Sequence, residues 1–422
     1  MREHPEYPLP SDLRSSPILG LNGGLLISLV LAALSFIGFQ NTERQHLRAE
    51  ADLRQAGDTQ SRILADLPRQ QLLDDKPQTA RLNAADDLTQ AASVLLHDGS
   101  VQGAVWNADE TRILSWSYDD TVRVWNATSG EELLTLWHDS SVQGAAWNAD
   151  ETRILSWSGD GTARLWDAVS GEELLTLPHT STVRGAAWNA DETRILSWSD
   201  DGTARVWDAA SGEELLVLRH DSYVYGAAWN TDATLILSWS DDGTVRLWDA
   251  SSGQERFTLR HDSYVYGAAW NADETRILSW SNDGTAYVSD AASGARILTL
   301  WHKRSANGAA WNADESRILS WSGDATVRVW DAARGATLLT LLHEDSVYGA
   351  VWNADESRIL SWSGDGTARV WDATSGQERF ILWHKATVQG AMCNADATRI
   401  LSWSLDSTVR VWDTPAERLT LQ

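Results

Sequence analysis

The chain has 422 residues, with 34 Lys and Arg against 59 Asp and Glu, and it contains 25 Trp but a single Cys. One Cys excludes an intramolecular disulfide framework, a zinc ribbon and a CxxC redox site. The formal net charge of −25 argues against a nucleic-acid-binding protein, because phosphate contacts need clustered Lys and Arg. Hydrophobic residues at 43% and charged residues at 22% are near globular averages and exclude wholesale disorder.

The chain begins with a short tail, residues 1–17, and continues with an apolar segment, residues 18–39, that has no charged side chain. As a helix this segment would be about 33 Å long, enough to cross a bilayer core of about 30 Å. A signal peptide would have a shorter apolar stretch ending at small residues, whereas this one ends Phe36-Ile-Gly-Phe. We therefore predict one transmembrane helix at residues 18–39.

The charges around this helix leave its orientation open. Arg2 and Arg14 precede it, and Arg44, Arg48 and Arg54 follow it. With the amino terminus counted, the two sides are equal under the positive-inside rule. We expect a single-pass membrane protein whose C-terminal part lies in the cytoplasm, with the opposite topology as the alternative.

A helical stem is predicted over residues 40–96. Residues 42–56 and 60–73 have the apolar spacing of amphipathic helices and are separated by Gly57-Asp58. Pro68 weakens the second of these helices, because proline lacks the backbone N–H donor.

Residues 97–422 form an internal repeat that contains every Trp of the chain, from Trp106 to Trp412. A Gly-Ala pair recurs every 41 residues without an insertion, and eight such units fill the segment, the last of them two residues shorter. These pairs begin at Gly103, Gly144, Gly185, Gly226, Gly267, Gly308, Gly349 and Gly390.

Each unit predicts four short β-strands. In the second unit these are residues 142–147, 153–158, 162–166 and 173–177, and Gly159-Asp-Gly between the middle two is a hairpin signal. Such units stacked around an axis form a propeller, whereas a linear solenoid would need atypical polar caps at its ends. We predict an all-β, eight-bladed β-propeller at residues 97–422. Its last outer strand would come from residues 417–421 or from residues 92–96.

The repeated residues resemble those of the WD-repeat β-propeller family. His179, Ser197, Asp201-Gly-Thr and Trp207-Asp carry the resemblance, and the same string recurs along the units. In that family the His, Ser, Asp and Trp form a hydrogen-bonded structural tetrad. The implied tetrads are His97, Ser115, Asp119 and Trp125 in the first unit, His138, Ser156, Asp160 and Trp166 in the second, His179, Ser197, Asp201 and Trp207 in the third, and so on to His384, Ser402, Asp406 and Trp412 in the eighth.

Three units depart from the family pattern. Asn126 replaces the Asp of the first Trp-Asp pair, and Cys393 replaces the first-strand Trp of the eighth unit. In the fifth unit Ser289 stands where the tetrad Trp is expected, so we predict an incomplete tetrad there.

The stem carries a second resemblance. Ser61-Arg-Ile-Leu-Ala-Asp-Leu and Ala80-Arg-Leu are similar to the stretch between a hydrophobic helix and the propeller in large bacterial signalling NTPases with C-terminal WD repeats. No Gly-x-x-x-x-Gly-Lys-Ser/Thr phosphate loop occurs in the sequence, so the NTPase part is absent. The resemblance implies a role in bacterial signalling and leaves open whether the chain is a truncated piece of such a protein.

Most aromatic and imidazole groups are interpreted as structural. Trp at a fixed place in each unit is typical of packing between blades rather than of ligand stacking. Trp137, Trp301 and Trp383 occur at an irregular position before His and are the exceptions. Eight of the ten His recur once per unit, too far apart to share a metal ion, so we interpret them as structural hydrogen-bonding groups.

Positions that vary among the units mark surface that the scaffold does not dictate. The residue before Gly-Ala and the residue after Ser-Trp-Ser vary, and in related propellers both open on the same face. Four of the eight Tyr lie at these two positions, and Tyr223 and Tyr264 lie two residues before the first of them. Tyr is a frequent hot-spot residue, although drift after duplication is the alternative. The candidate partner-binding residues are Tyr118, Arg184, Tyr223, Tyr225, Tyr264, Tyr266, Asn307 and Tyr348.

The acidic repeat segment favours a basic protein partner and disfavours nucleic acid, although its charge could serve solubility alone. We predict a membrane-tethered, non-catalytic scaffold for protein–protein interaction, with no catalytic residue, cofactor, metal or small-molecule substrate. One alternative is a quinoprotein-type enzyme, because some Trp-rich eight-bladed propellers are such enzymes. The other is an envelope assembly factor, which usually requires a lipobox Cys after the apolar segment.

Overall fold

The computed structural model describes Leu95 and residues 97–99, 101–109, 111–393, 399–405 and 409–413. The predicted tail, the transmembrane helix and, apart from Leu95, the stem lie outside these residues and remain predictions. Within the described ranges, no helix is long and apolar enough to cross a bilayer.

The described residues form 31 strands, numbered along the chain, in the order of first, second, third and outer strand of each blade. The first strands are β1 (Val101–Trp106), β5 (Val142–Trp147), β9 (Val183–Trp188), β13 (Val224–Trp229), β17 (Val265–Trp270), β21 (Ala306–Trp311), β25 (Val347–Trp352) and β29 (Val388–Cys393). The second strands are β2 (Arg112–Ser117), β6 (Arg153–Ser158), β10 (Arg194–Ser199), β14 (Leu235–Ser240), β18 (Arg276–Ser281), β22 (Arg317–Ser322), β26 (Arg358–Ser363) and β30 (Arg399–Ser404). The third strands are β3 (Thr121–Asn126), β7 (Thr162–Asp167), β11 (Thr203–Asp208), β15 (Thr244–Asp249), β19 (Thr285–Asp290), β23 (Thr326–Asp331), β27 (Thr367–Asp372) and β31 (Val409–Asp413). The outer strands are β4 (Glu132–Trp137), β8 (Glu173–Pro178), β12 (Glu214–Arg219), β16 (Glu255–Arg260), β20 (Arg296–Trp301), β24 (Thr337–Leu342) and β28 (Glu378–Trp383).

The all-β prediction is confirmed, and each repeat unit is one sheet. Seven sheets have four strands and the last, β29 to β31, has three, with every strand antiparallel to its neighbours in chain order. First strands of neighbouring blades contact one another, which places them on the side of the common axis. Both candidates for the remaining outer strand, residues 417–421 and 92–96, lie outside the described residues except for Leu95.

The Trp of the second strand explains why Gly precedes Ala in every unit. Gly144 pairs with Trp157 across the first hairpin of the second blade. A Cβ atom on Gly144 would lie 2.1 Å from Cζ2 of the Trp157 ring, so only glycine leaves room for the indole. The Trp and the Gly therefore form one packing unit that is repeated from blade to blade.

The hydrophobic core lies between blades rather than within them. Leu114, Trp116 and Val122 of the first blade pack against Ile154 and Trp166 of the second. The equivalent clusters recur at the following interfaces up to that between the seventh and eighth blades. A sheet that is apolar on both faces is stable only between two neighbours, which is why the unit exists as an array.

A carboxylate clamp joins neighbouring blades at the turn between first and second strands. Asn148 Nδ2 donates to Glu192 Oε2 at 2.9 Å, and the Ala149 N–H donates to the other carboxylate oxygen. Glu192 holds this position with a φ of 58°, in the left-handed region. In the fourth blade Ala233 has the same backbone conformation without a carboxylate, and Asn189 bonds inside its own turn. The clamp recurs as Asn107 with Glu151, Asn230 with Glu274, Asn271 with Glu315 and Asn312 with Glu356.

The first strand of the first blade is more exposed to solvent than that of the second blade. Val101 is 49% exposed, whereas Val142 at the same place in the second blade is fully buried. Closure of the ring involves parts of the eighth unit outside the described residues, so it remains a prediction.

Candidate functional site

The tetrad residues of the second unit form one chain of hydrogen bonds. The Trp166 indole N–H donates to Ser156 Oγ at 2.7 Å, and Ser156 Oγ lies 2.8 Å from His138 Nε2. His138 Nδ1 lies 2.8 Å from an Asp160 carboxylate oxygen. Because an ionised carboxylate can only accept, the neutral imidazole carries its proton on Nδ1 and donates it to Asp160. Nε2 then accepts from the Ser156 hydroxyl, whose oxygen in turn accepts from the Trp166 indole.

The other implied tetrads have the same arrangement wherever all four residues are present and described. In the first unit the His97–Asp119, His97–Ser115 and Trp125–Ser115 distances are 2.9, 2.7 and 2.8 Å. In the third unit the His179–Asp201, His179–Ser197 and Trp207–Ser197 distances are 2.9, 2.8 and 2.8 Å. In the eighth unit His384 and Trp412 both bond Ser402, and Asp406 lies outside the described residues.

Burial and hydrogen bonding set the protonation of these groups. Burial lowers the pKa of His97 and His179, although the hydrogen bond and charge of the partner carboxylate act in the opposite direction. Burial alone would raise the pKa of Asp119, but hydrogen bonds from Thr121, the Asp98 backbone and His97 lower it to about 2. The pair is thus held as a neutral imidazole beside a carboxylate. Both side chains are buried, and their hydrogen bond joins the segment before β1 to the turn between β2 and β3.

The fifth blade lacks the tetrad Trp and replaces it in an unexpected way. Ser289 leaves Ser279 without an indole donor, while His261 Nε2 remains 2.9 Å from Ser279 Oγ. The His261 ring instead stacks on Tyr287 at a centroid distance of 4.0 Å, and the Arg296 guanidinium covers the other side of the tyrosine. Tyr287 occupies the third-strand position that is Arg in the neighbouring blades, and sequence reasoning missed both it and Arg296.

The two variable positions of a unit lie 16 residues apart and meet across the hairpin of the first two strands. The pairs of the third, fourth and fifth blades are hydrogen-bonded side chain to side chain. They are Arg184 NH2 with Asp200 at 2.8 Å, Tyr225 Oη with Asp241 at 2.7 Å, and Tyr266 Oη with Asn282 at 2.9 Å. The polar ends of the candidates Arg184, Tyr225 and Tyr266 are therefore already occupied within their own blades.

The exposed tyrosines are those outside these pairs. Tyr223 and Tyr264 lie in the loops that lead into β13 and β17, and both rings are exposed. Tyr264 packs edge-on against Tyr266 at a centroid distance of 6.5 Å. We refer to Tyr223, Tyr225, Tyr264 and Tyr266, on the fourth and fifth blades, as the tyrosine surface.

The surroundings of the tyrosine surface are mixed in charge but mainly acidic. Asp221 and Asp262 are exposed in the same loops as Tyr223 and Tyr264. The Arg184 guanidinium lies 5.8 Å from the Tyr225 ring and connects the third blade to the fourth. The pKa of Tyr225 is raised by burial and by its bond to Asp241, so its phenol stays protonated.

The remaining candidates lie on other blades. Tyr118 is exposed on the first blade and Tyr348 on the seventh. Asn307 Nδ2 donates to the Val347 carbonyl of the next blade at 2.9 Å, so it holds two blades together. Asp241 and Asn282 were not among the predicted residues, although their 16-residue offset from Tyr225 and Tyr266 recurs in every unit.

Two other groups of candidates can be placed. Trp137, Trp301 and Trp383 are exposed at the ends of their outer strands, unlike the buried tetrad Trp residues. No cluster of three His, Cys, Asp or Glu suited to a metal ion occurs within the part of the chain that the structure describes.

Sheets of four antiparallel strands, each carrying the His–Ser–Trp chain or its replacement, define a propeller built from repeated blades. The WD40 family model, described as the WD domain, G-beta repeat, matches six segments, residues 90–126, 130–167, 171–208, 212–249, 294–331 and 335–372. These cover more than half of the chain, which therefore belongs to the WD40 family. The unmatched units are the fifth, with Ser289, and the eighth, with Cys393.

Solved structures show the same fold. The computationally designed Ika8 protein is 26% identical, with a TM-score of 0.60 over 75% of this chain and 97% of that one. The C-terminal WD40 domain of Sif2 is 19% identical, with a TM-score of 0.60 over 74% of this chain and 95% of that one. Comparison with curated protein sequences gives no match.

Proposed function

We propose that this WD40 protein is a non-catalytic scaffold that binds a basic segment of a protein partner through the tyrosine surface. The observation that carries the proposal is the pairing of exposed rings with exposed carboxylates in the same loops, Tyr223 with Asp221 and Tyr264 with Asp262. Lys and Arg side chains are attracted both by carboxylates and by the faces of aromatic rings.

The anchored tyrosines support this use of the exposed ones. Tyr225 and Tyr266 are half-buried and hydrogen-bonded, so they form a rigid floor that costs little entropy on binding. Rigid aromatic side chains are enriched among interface hot spots. The repeat segment holds 47 acidic and 25 basic residues, and this charge would speed encounter with a basic partner.

We further propose that the scaffold is tethered to a membrane and acts in signalling. The support is the uncharged segment at residues 18–39 and the resemblance of the stem to that of bacterial signalling NTPases. Fractionation of cells that express the full chain tests the tether. Carbonate-resistant membrane association is expected, and release of the protein into the soluble fraction would contradict it.

The tyrosine surface is tested on the full chain in detergent. The probe is a fluorescein-labelled peptide alternating Arg and Ala, and its anisotropy reports binding to the wild type and to Tyr223→Ala/Tyr264→Ala. We expect the double variant to bind about tenfold more weakly, the equivalent of about 1.4 kcal/mol. Tyr118→Ala is the matched control, because Tyr118 is a similarly exposed tyrosine on another blade. Equal affinity of the three proteins would contradict the proposal.

A further inference from the structure

Five blades share an ion pair between the third and outer strands. A third-strand Arg donates to an outer-strand Glu nine residues later, and the Glu carboxylate is partly open to solvent. These pairs are Arg123 with Glu132 at 3.1 Å, Arg164 with Glu173 at 3.2 Å, Arg205 with Glu214 at 2.8 Å, Arg246 with Glu255 at 3.4 Å and Arg369 with Glu378 at 3.1 Å. A carboxylate at this place is therefore the rule among the seven blades whose outer strand the structure describes.

The sixth blade has the Arg without the carboxylate. Its third strand carries Arg328, but Thr337 stands at the Glu position. One Arg328 nitrogen, NH1, donates to the Trp301 carbonyl, and the other, NH2, lies 3.4 Å from Asp324. The Nε donor is buried without a partner, whereas in the five other blades it bonds a Thr hydroxyl, as Arg164 does with Thr162 at 3.0 Å.

The surface beside Arg328 is cationic and apolar. Trp301 is 61% exposed at the end of β20, and Lys303 and Arg304 follow it in an exposed loop. Neither Lys303 nor Arg304 has an ion-pair partner among the described residues. The sixth unit, residues 302–342, holds five basic and four acidic residues and is the one unit in the sequence with a positive balance.

We propose that this place at the boundary of the fifth and sixth blades binds an acidic segment of a partner protein. A partner Asp or Glu takes the position that Glu occupies in the five other blades and pairs with Arg328. An apolar neighbour of that residue covers the Trp301 ring, and Lys303 and Arg304 attract the remaining carboxylates. This site prefers the opposite charge and uses none of the residues of the tyrosine surface, so it does not depend on the function proposed above.

The loop of the next blade indicates on which side of Lys303 and Arg304 the bound segment lies. A groove of about 310 Å³ lies between the Lys303–Arg304 loop and the loop with Glu344 and Asp345. These two carboxylates repel an acidic chain, so the segment lies on the side of Trp301 and not across the groove.

The test places the missing carboxylate in the protein itself. Thr337→Glu rebuilds the pair seen in five blades and so blocks the site without removing a cation, while Thr337→Gln has the same size without the charge. The probe is a fluorescein-labelled peptide alternating Glu and Leu, whose anisotropy is measured with the full chain in detergent. We expect Thr337→Glu to weaken binding about tenfold or more and Thr337→Gln to leave it within about twofold.

Two further measurements keep the proposal falsifiable. A peptide alternating Gln and Leu is expected not to bind, and Lys303→Glu/Arg304→Glu is expected to weaken binding of the acidic peptide. Equal binding by Thr337→Glu and the wild type would overturn the proposal, as would no binding of the acidic peptide at millimolar concentration. Equal binding of the Gln peptide would overturn it as well, because the site would then be apolar rather than anion-specific.

Discussion

The Arg296 guanidinium lies 3.6 Å from the centre of the Tyr287 ring and donates to the Arg260 carbonyl of the preceding blade at 3.2 Å. In the fourth blade the third-strand Arg246 makes the equivalent bond, to the Arg219 carbonyl at 3.0 Å. The fifth blade has thus moved its guanidinium from the third strand to the outer strand, and Tyr287 has become the ring against which both His261 and Arg296 pack.

Replacing Arg296 with Ala should therefore destabilise the fifth blade. The change removes a cation–π contact of about 0.5–2 kcal/mol and a hydrogen bond of about 1 kcal/mol. Arg256→Ala is the control, because Arg256 sits on the neighbouring outer strand but forms only an exposed ion pair with Asp249. Thermal unfolding followed by circular dichroism is expected to show a lower Tm for Arg296→Ala alone, and equal Tm values would count against the compensation.

The tetrad serine should matter more where the Trp is present. Ser156→Ala leaves two buried groups without a partner, the Trp166 indole and the His138 Nε2. Ser279→Ala in the fifth blade affects only His261, because Ser289 has replaced the Trp. Each buried group left without a partner costs about 1–3 kcal/mol of stability. Ser156→Ala should therefore unfold at a clearly lower denaturant concentration than Ser279→Ala. A lower unfolding midpoint for Ser279→Ala than for Ser156→Ala would contradict the idea that each hydrogen bond to the serine adds to stability.

A missing clamp can be installed. Ala233 has a positive φ of 55°, like the Glu residues of the clamp. Asn189 of the third blade lies at the position of the Asn that donates to this Glu at the other clamps. Ala233→Glu should add charge-assisted hydrogen bonds between the two blades and stabilise the fold by about 1–2 kcal/mol. Glu192→Ala, which removes an existing clamp, should lower stability by a similar amount. Tm measurements check both, and a gain for Ala233→Gln equal to that for Ala233→Glu would exclude the charge as the cause.

Stability should fall with acid in two stages. The folded pKa values of His97, His179, His220, His261, His302 and His343 are all lowered by burial. The unfolded chain then binds more protons below about pH 6.5, so stability decreases as the pH drops through that value. The tetrad Asp residues have lowered pKa values as well, such as that of Asp119 at about 2, so a second loss begins below about pH 5.

The measurement for this prediction is Tm against pH at constant ionic strength. Asp201→Asn removes one carboxylate whose pKa is lowered by bonds from His179 and Thr203, despite the opposing effect of burial. That variant should be less stable near neutral pH and lose less on acidification than the wild type. A Tm that rises between about pH 7 and pH 5 would contradict the sign of the His effect, and a Tm that rises below about pH 5 would contradict the sign of the Asp effect.

The strands were predictable because their signals are local. Apolar runs, alternation and the Gly159-Asp-Gly turn are properties of neighbouring residues, and the predicted 142–147 and 153–158 coincide with β5 and β6. The third strand runs one residue further than predicted, to Asp167. The tetrad partners came from the family resemblance rather than from the residues alone, since the 22 residues between His179 and Asp201 carry no local sign of contact.

The candidate surface was only partly predictable. The variation among units indicated Tyr225 and Tyr266, but their bonds to Asp241 and Asn282 hold them within their blades and leave Tyr223 and Tyr264 exposed. Sequence by itself determined the repeat, the four-stranded unit, the acidic balance and the loss of the Trp at Ser289. Tertiary structure decided which polar side chains are hydrogen-bonded within their blades and which are exposed, how Tyr287 and Arg296 compensate, and that Arg328 Nε is buried without a partner. These outcomes depend on distances across hairpins and between blades, and such contacts join residues far apart in the chain, where periodic patterning carries no signal.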